Sequence, residues 1–168
     1  DPKFSPDGQA ICFKQTTDSD NGNVKIMNLQ GEILQHVTNN KIESGMPYFL
    51  INSSSLIYAC GAGSNSDIFM VNRDGTNNHP VQQQKNIQEY YPITIDSVSY
   101  LFSRWYSTSN RNDQVYKGSF SNTLTTSLPF NTPDANYSDP FPCGSDYVFL
   151  SSTRAGTKGG YDLYIANT

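Results

Sequence analysis

Histidine is almost absent from this sequence: His36 and His79 are the only two among 168 residues. General acid–base work by paired imidazoles and histidine-rich metal cages both lose their usual players. Cysteine is nearly as scarce. Cys12, Cys60 and Cys143 lie far apart with no Cys or His nearby, so zinc-site spacing is missing and thiols are too few for a disulfide scaffold. Buried thiols are the expectation. The 11 Lys and Arg are scattered among 15 Asp and Glu, which leaves a formal net charge of -4 and no basic stripe to neutralise phosphates. Nucleic acid is therefore excluded as a partner. No apolar run reaches the roughly 18 residues that a bilayer demands, so no membrane insertion is expected. No charged-then-apolar leader opens the chain either. An opening Asp1 in place of Met suits a processed, excised or partial product of an exported protein.

The chain is rich instead in a repeated phrase. The opening Asp1-Pro2-Lys3-Phe4-Ser5-Pro6-Asp7-Gly8 runs into the apolar stretch Ala10-Ile11-Cys12-Phe13. Degraded copies follow at Gly45-Met46-Pro47-Tyr48-Phe49, Tyr91-Pro92-Ile93-Thr94 and Asp139-Pro140-Phe141, with anchoring prolines 45, 45 and 48 residues apart. A period in the forties, built from short strands without helical periodicity, is the signature of propeller blades. The expectation is an all-β, four-bladed β-propeller forming one domain, with blades at about 1–44, 45–88, 89–136 and 137–168.

Each unit reads as an inner strand, a turn, a second strand and a third strand. In the first copy Pro6 presets φ and Gly8 accepts a positive φ, which makes a tight turn. The second strands, such as Leu56-Ile57-Tyr58-Ala59-Cys60, are continuous apolar runs and not alternating ones, so both of their faces are expected to be buried. Outer fourth strands are expected at Ile33 to Val37, His79 to Val81 and Leu124 to Leu128. The last copy stops after its third strand, so its blade is expected to lack the outer strand.

These residues resemble the TolB-like (WD-like) β-propeller repeat, whose units open on Pro-x-Phe-Ser-Pro-Asp-Gly. Asp1 to Phe13 matches that opening, and Asp67-Ile68-Phe69-Met70-Val71-Asn72-Arg73-Asp74-Gly75-Thr76 matches the third strand and its turn. Phe149 to Arg154 with Gly159 to Tyr164 resembles the form found beside bacterial outer-membrane domains. The resemblance runs through the whole chain, although Asn52-Ser53-Ser54, Ile95-Asp96-Ser97 and Cys143-Gly144-Ser145 replace Pro-Asp-Gly. It implies the fold and leaves the activity open, because relatives include periplasmic assembly proteins, polysaccharide lyases and the gating propellers of serine peptidases.

Candidate sites follow from the loops. Those between second and third strands share one rim of a propeller, and the one from Ser103 to Asp113 carries the only tryptophan in Arg104-Trp105-Tyr106. That trio suits stacking on a sugar or anchoring a protein, and a wedge between blades is equally expected for Trp105. Tyr90 and Tyr91 either join the same rim or belong to the core. Asn52 and Asn136 head acceptor sequons for glycosylation. Asp18 to Asn23 is oxygen-rich, but its glycine is misplaced for an EF-hand and no Glu closes the loop, so no metal or other cofactor is expected. A nucleophile elbow is missing, which leaves no catalytic residue to name.

The leading expectation is a non-enzymatic module of a secreted or cell-surface protein, periplasmic in a bacterium. It would act in protein interaction or as a subunit of an extracellular assembly or filament. A neighbouring subunit or domain is expected to pair with the open edge of the last blade, beside Tyr164 and Ile165. The alternatives are a glycan-binding propeller and a propeller attached to a lyase or peptidase.

Overall fold

A computed structural model describes residues 2–17, 20–39, 41–62, 65–106, 112–156 and 158–168. Its described residues form strands only, gathered in four antiparallel sheets. Sheet 1 holds β1 (Lys3–Phe4), β2 (Ala10–Thr17), β3 (Asp20–Asn28) and β4 (Ile33–His36). Sheet 2 holds β5 (Ser44–Phe49), β6 (Ser55–Ala62), β7 (Asn65–Asn72) and β8 (His79–Gln82). Sheet 3 holds β9 (Ile87–Thr94), β10 (Ser99–Tyr106), β11 (Gln114–Ser119) and β12 (Asn122–Ser127). Sheet 4 holds β13 (Tyr137–Cys143), β14 (Tyr147–Ser152) and β15 (Asp162–Asn167). In every sheet the strands pair in chain order, as a meander.

The sheets stack face to face, and the continuous apolar runs are what this arrangement consumes. Along β6, Leu56, Tyr58 and Cys60 pack with Ala10, Cys12, Val24 and Ile26 of sheet 1. The intervening Ile57 and Ala59 pack with Tyr100 and Phe102 of sheet 3. Leu101 and Val115 then meet Val148 and Leu150 of sheet 4. A strand alternates its side chains between two faces, so an apolar neighbour on each side requires an unbroken apolar run. Each fully buried large side chain, such as Phe49 or Leu56, contributes on the order of 2 kcal/mol.

The turn after each first strand keeps its geometry while its residues change. Gly8 donates its N–H to the Ser5 carbonyl at 2.8 Å with φ 69°, and Ser53 does the same to Leu50 at 2.9 Å with φ 56°. In sheet 3 the Asp96 carboxylate takes over, accepting the Val98 and Ser99 N–H groups at 2.8 and 2.7 Å.

Two expected loops are shorter than the sequence suggests. β10 continues through Tyr106, so Arg104, Trp105 and Tyr106 are strand residues whose backbones pair with Glu89, Gln88 and Ile87 of β9. The β2 and β3 strands likewise extend to Thr17 and from Asp20, with these two residues paired. Asp18 and Ser19 of the oxygen-rich segment lie outside the described residues.

Candidate functional site

The first strands β1, β5, β9 and β13 converge on one cavity of about 300 Å³, lined among others by Lys3, Met46, Tyr48, Tyr91, Asp139 and Phe141. It marks the axis around which the sheets are arranged. Proline suits these positions because a first strand pairs on one side only, and a missing N–H on the other side loses no ladder bond.

At the repeat proline of each later first strand, Pro47, Pro92 and Pro140, the strand bulges. Met46-Pro47, Tyr91-Pro92 and Asp139-Pro140 each set two residues against one on the neighbouring strand, so the register shifts there. The residue before each proline takes a left-handed backbone: φ is 52° at Met46, 48° at Tyr91 and 54° at Asp139. A non-glycine residue held in that region costs on the order of 1 kcal/mol, and such strain gathers where a structure needs a side chain aimed unusually. Here it turns three different side chains into one mouth. Surrounding bonds hold them: the Tyr91 N–H points at Met46 Sδ at 3.4 Å, and the Asp139 N–H donates to Ser103 Oγ at 3.2 Å. Ser151 Oγ donates to Asp139 Oδ2 at 3.0 Å. Lys3 Nζ sits 6.0 Å from the centre of the Phe141 ring, so the first and last sheets meet across the cavity.

Beside this mouth lies an acidic and phenolic cluster. Burial pushes the Asp113 carboxyl up, a hydrogen bond from Tyr90 opposes that, and the negative charge of Asp139 adds to it. Tyr90 is held well above the usual phenol value, first by burial and then by Asp113 and Asp139. Tyr91 and Tyr161 are raised for the same two reasons, burial and a neighbouring carboxylate. All three tyrosines are therefore neutral hydroxyls near neutral pH. Two carboxylates among neutral phenols favour a cationic or hydrogen-donating visitor. Among the described residues no three His, Cys, Asp or Glu side chains gather as metal ligands.

The side chains expected to form a binding surface are distributed elsewhere. Arg104 is only 3% exposed and Glu89 is 0%. Arg104 Nη2 and Nε donate to one oxygen, Glu89 Oε1, at 2.6 and 3.0 Å, and Nη1 donates to Thr125 Oγ1 at 3.2 Å. Its guanidinium also lies 4.3 Å from the Tyr116 ring centre and 5.1 Å from that of Phe102. Trp105 and Tyr106 are half-buried, and Tyr106 lines a different cavity of about 490 Å³ with Gln114 and Asn131. Tyr90 lines a third cavity of about 220 Å³ beside Lys14 and Glu43, while Tyr91 lines the axial one. The axial mouth thus collects Tyr91 from that set and adds Lys3, Met46 and Asp139. The recurring Xaa-Pro in the first strands was the sequence signal for them.

Asn52 is exposed in its turn, with Oδ1 accepting the Ser54 N–H at 3.0 Å. Asn136 is half-buried, and its Oδ1 accepts the Asp113 N–H at 2.9 Å. His36 and His79 lie on β4 and β8, each the last strand of its sheet.

No sequence-family model matches the chain, and no curated protein matches it by sequence. Its backbone is similar to TolB from Acinetobacter baumannii, with a TM-score of 0.74 and 16% identity, over 99% of this chain and 40% of that one. It is similar to a protein from Agrobacterium tumefaciens described as TolB, with a TM-score of 0.81 and 14% identity, over 100% of this chain and 61% of that one. A prolyl endopeptidase aligns with a TM-score of 0.67 and 12% identity, over 98% of this chain and 26% of the enzyme. The chain therefore spans less than two thirds of the length of each of these proteins. Identities this low speak for the fold alone, and the fold is that of the TolB-like β-propellers.

Proposed function

We propose that this chain is a non-enzymatic propeller module of a protein exported from the cytoplasm, and that it binds a segment of another polypeptide at its axial mouth. The observation that carries the reading is the convergence of Met46, Tyr91 and Asp139, each in a left-handed bulge before proline, on one cavity. Apolar Met46, an aromatic phenol and a carboxylate within one opening supply apolar contact, hydrogen bonding and a charge for a basic side chain. No helix among the described residues is long and apolar enough to cross a membrane, and the module is read as working outside the cytoplasm in protein interaction or assembly.

The test is selection of binders from a display library of random dodecapeptides on the immobilised protein. Selected peptides are expected to be rich in Lys or Arg and to lose about tenfold in affinity, or 1.4 kcal/mol, in Tyr91→Ala and in Asp139→Ala. Trp105→Ala, away from the mouth, serves as the control. Binders indifferent to both mouth variants would remove the reading.

A second reading is supported by the likeness to the prolyl endopeptidase, of which this chain covers 26%. In it, the propeller accompanies a catalytic domain elsewhere in the polypeptide and governs access to it. A hydrolase domain encoded in the same gene would promote this reading over the first.

A further inference from the structure

A cavity of about 490 Å³ opens where the ends of β10, β11 and β12 meet residues 131–133. Its lining among the described residues holds no carboxylate and no basic group. Tyr106 and Tyr116 form part of the wall, with their hydroxyls 3.2 Å apart. Burial first, and then the bond to Tyr106, holds the Tyr116 phenol above its usual value, so it is a neutral hydroxyl near neutral pH. The Arg104 guanidinium, 4.3 Å from the Tyr116 ring centre, is bound to Glu89 and Thr125 and is not part of the lining.

The amide side chains of this cavity are locked by the main chain. Gln114 Nε2 donates to the carbonyls of Asp113, Thr132 and Ala135 at 3.0, 3.0 and 3.1 Å, and Asn112 Nδ2 donates to that of Pro133 at 3.1 Å. Carbonyls only accept, so these bonds fix which end of each amide is nitrogen. Gln114 Oε1 and Asn112 Oδ1 are left as acceptors with no donor among the described residues. Asn131 is turned to a different use. Its Oδ1 accepts the Val115 N–H at 3.1 Å, and its Nδ2 donates to the Val115 carbonyl at 2.6 Å and to Ser127 Oγ at 2.9 Å. The side chain thereby takes the place of a strand residue beside β11, and Ser127 Oγ, already an acceptor, has its proton left to donate.

These groups select a class of visitor. An ionic ligand would be stripped of water with no opposite charge to meet it. An added peptide strand would need the outer N–H and C=O of Val115, and Asn131 holds both. What remains is a molecule that donates to two fixed acceptors, accepts from a hydroxyl and lays C–H groups on phenol rings. A sugar does all three, since its hydroxyls both donate and accept and its ring presents apolar C–H faces. We propose that this cavity binds a neutral oligosaccharide, with Asn112, Gln114 and Ser127 reading its hydroxyls and Tyr106 and Tyr116 its C–H face. The volume falls within the roughly 300–1,000 Å³ of small-molecule sites. The cavity shares no lining residue with the axial mouth, so the two binding readings stand or fall separately.

The test is titration of the unsubstituted protein, followed by proton–nitrogen correlation NMR, with cellotetraose, maltotetraose, mannotetraose, xylotetraose and N-acetylated chitotetraose at up to about 10 mM. Tetragalacturonate is the charged comparator. The expected result is a saturable shift of the side-chain amide signals of Asn112, Gln114 and Asn131 with at least one neutral tetrasaccharide, and weaker binding of tetragalacturonate. Asn112→Ala and Ser127→Ala each remove one hydrogen bond at a half-buried and an exposed position, and each should weaken that sugar about threefold to tenfold. The main-chain signals report whether a variant is folded, and the unsubstituted protein carries the test alone if it is not. No saturable shift with any neutral tetrasaccharide, shifts confined to axial residues such as Tyr91, or unchanged affinity in both folded variants overturns the proposal. Tighter binding of tetragalacturonate overturns the neutral class. A display-selected dodecapeptide that moves the same three signals while no sugar does overturns the proposal in favour of a peptide.

Discussion

Replacing Arg104 by Met tests the one ion pair among the described residues that is fully enclosed. Both nitrogens that Arg104 offers to Glu89 meet Oε1, and Oε2 has no hydrogen-bond partner among the described residues. Burial therefore outweighs the attraction of the guanidinium, and the Glu89 carboxyl is pushed from 4.5 up to about 7. Because the folded value lies above the unfolded one, the associated stability is fully present below about 4.5 and is lost as pH rises through about 7. At 1.36 kcal/mol per pKa unit, that loss is about 3 kcal/mol across the window. In Arg104→Met the carboxylate keeps its burial and loses its partner, which costs roughly 3–5 kcal/mol where Glu89 must be charged. At pH 8 the carboxyl of the variant escapes that cost by taking up a proton, so the variant should be destabilised by up to about 1.4 kcal/mol more than at pH 5, the cost of protonating a group at about 7 one unit above its value. At pH 5 Glu89 is neutral, and only the stacking on Tyr116 and Phe102 is lost, about 1–2 kcal/mol. Urea unfolding at both pH values, followed by the fluorescence of the adjacent and only tryptophan, Trp105, measures the difference. Equal losses at pH 5 and pH 8 would refute the account, since the penalty would then not depend on the charge of Glu89.

Three further expectations concern other parts of the molecule. A Cβ on Gly118 would lie 2.5 Å from Tyr100 Cζ, and Tyr100 is fully buried, so Gly118→Ala should destabilise by about 1–3 kcal/mol in thermal or urea unfolding. An unchanged midpoint would mean that the ring has room to move. Cys12 and Cys60 are buried and the Cys12 thiol is pushed up to about 12, whereas Cys143 is half-buried. A thiol-reactive dye should therefore report one fast group in the native protein and three after denaturation, and more than one fast native thiol would contradict the burial. Asp139→Asn keeps a residue that tolerates a left-handed backbone while removing its charge, so the raised Asp113 carboxyl should move down toward its ordinary value. Carboxyl-resonance titration by NMR reads that shift directly, and an unmoved Asp113 would show that burial alone accounts for it.

The parts of this fold visible in the sequence are those that depend on what is apolar. Leu56 to Cys60 announced a strand covered on both faces because a strand between two sheets can expose neither set of side chains. The first-strand prolines announced the repeat because a first strand tolerates them. The site was less legible. Nothing about Met46 as a residue type suggests a positive φ, which the bulge imposes through pairing with β6. Arg104 beside Trp105 and Tyr106 looked like a surface group, since arginine is rarely buried without a partner. Its partner, Glu89, lies fifteen residues earlier and becomes adjacent only through the register of β9 with β10. Cross-strand register is not written in either segment alone.

The meander order of the four sheets also bears on how the chain is made. Every strand pairs with the strand just before or after it, so each ladder closes a short stretch of chain and loses little loop entropy in doing so. Contacts between distant parts of the sequence arise mainly as one finished sheet settles on the preceding one. A ribosome extruding this polypeptide would release complete hairpins in order, each able to dock on a surface that already exists, which favours stepwise growth during synthesis over collapse of the whole chain at once.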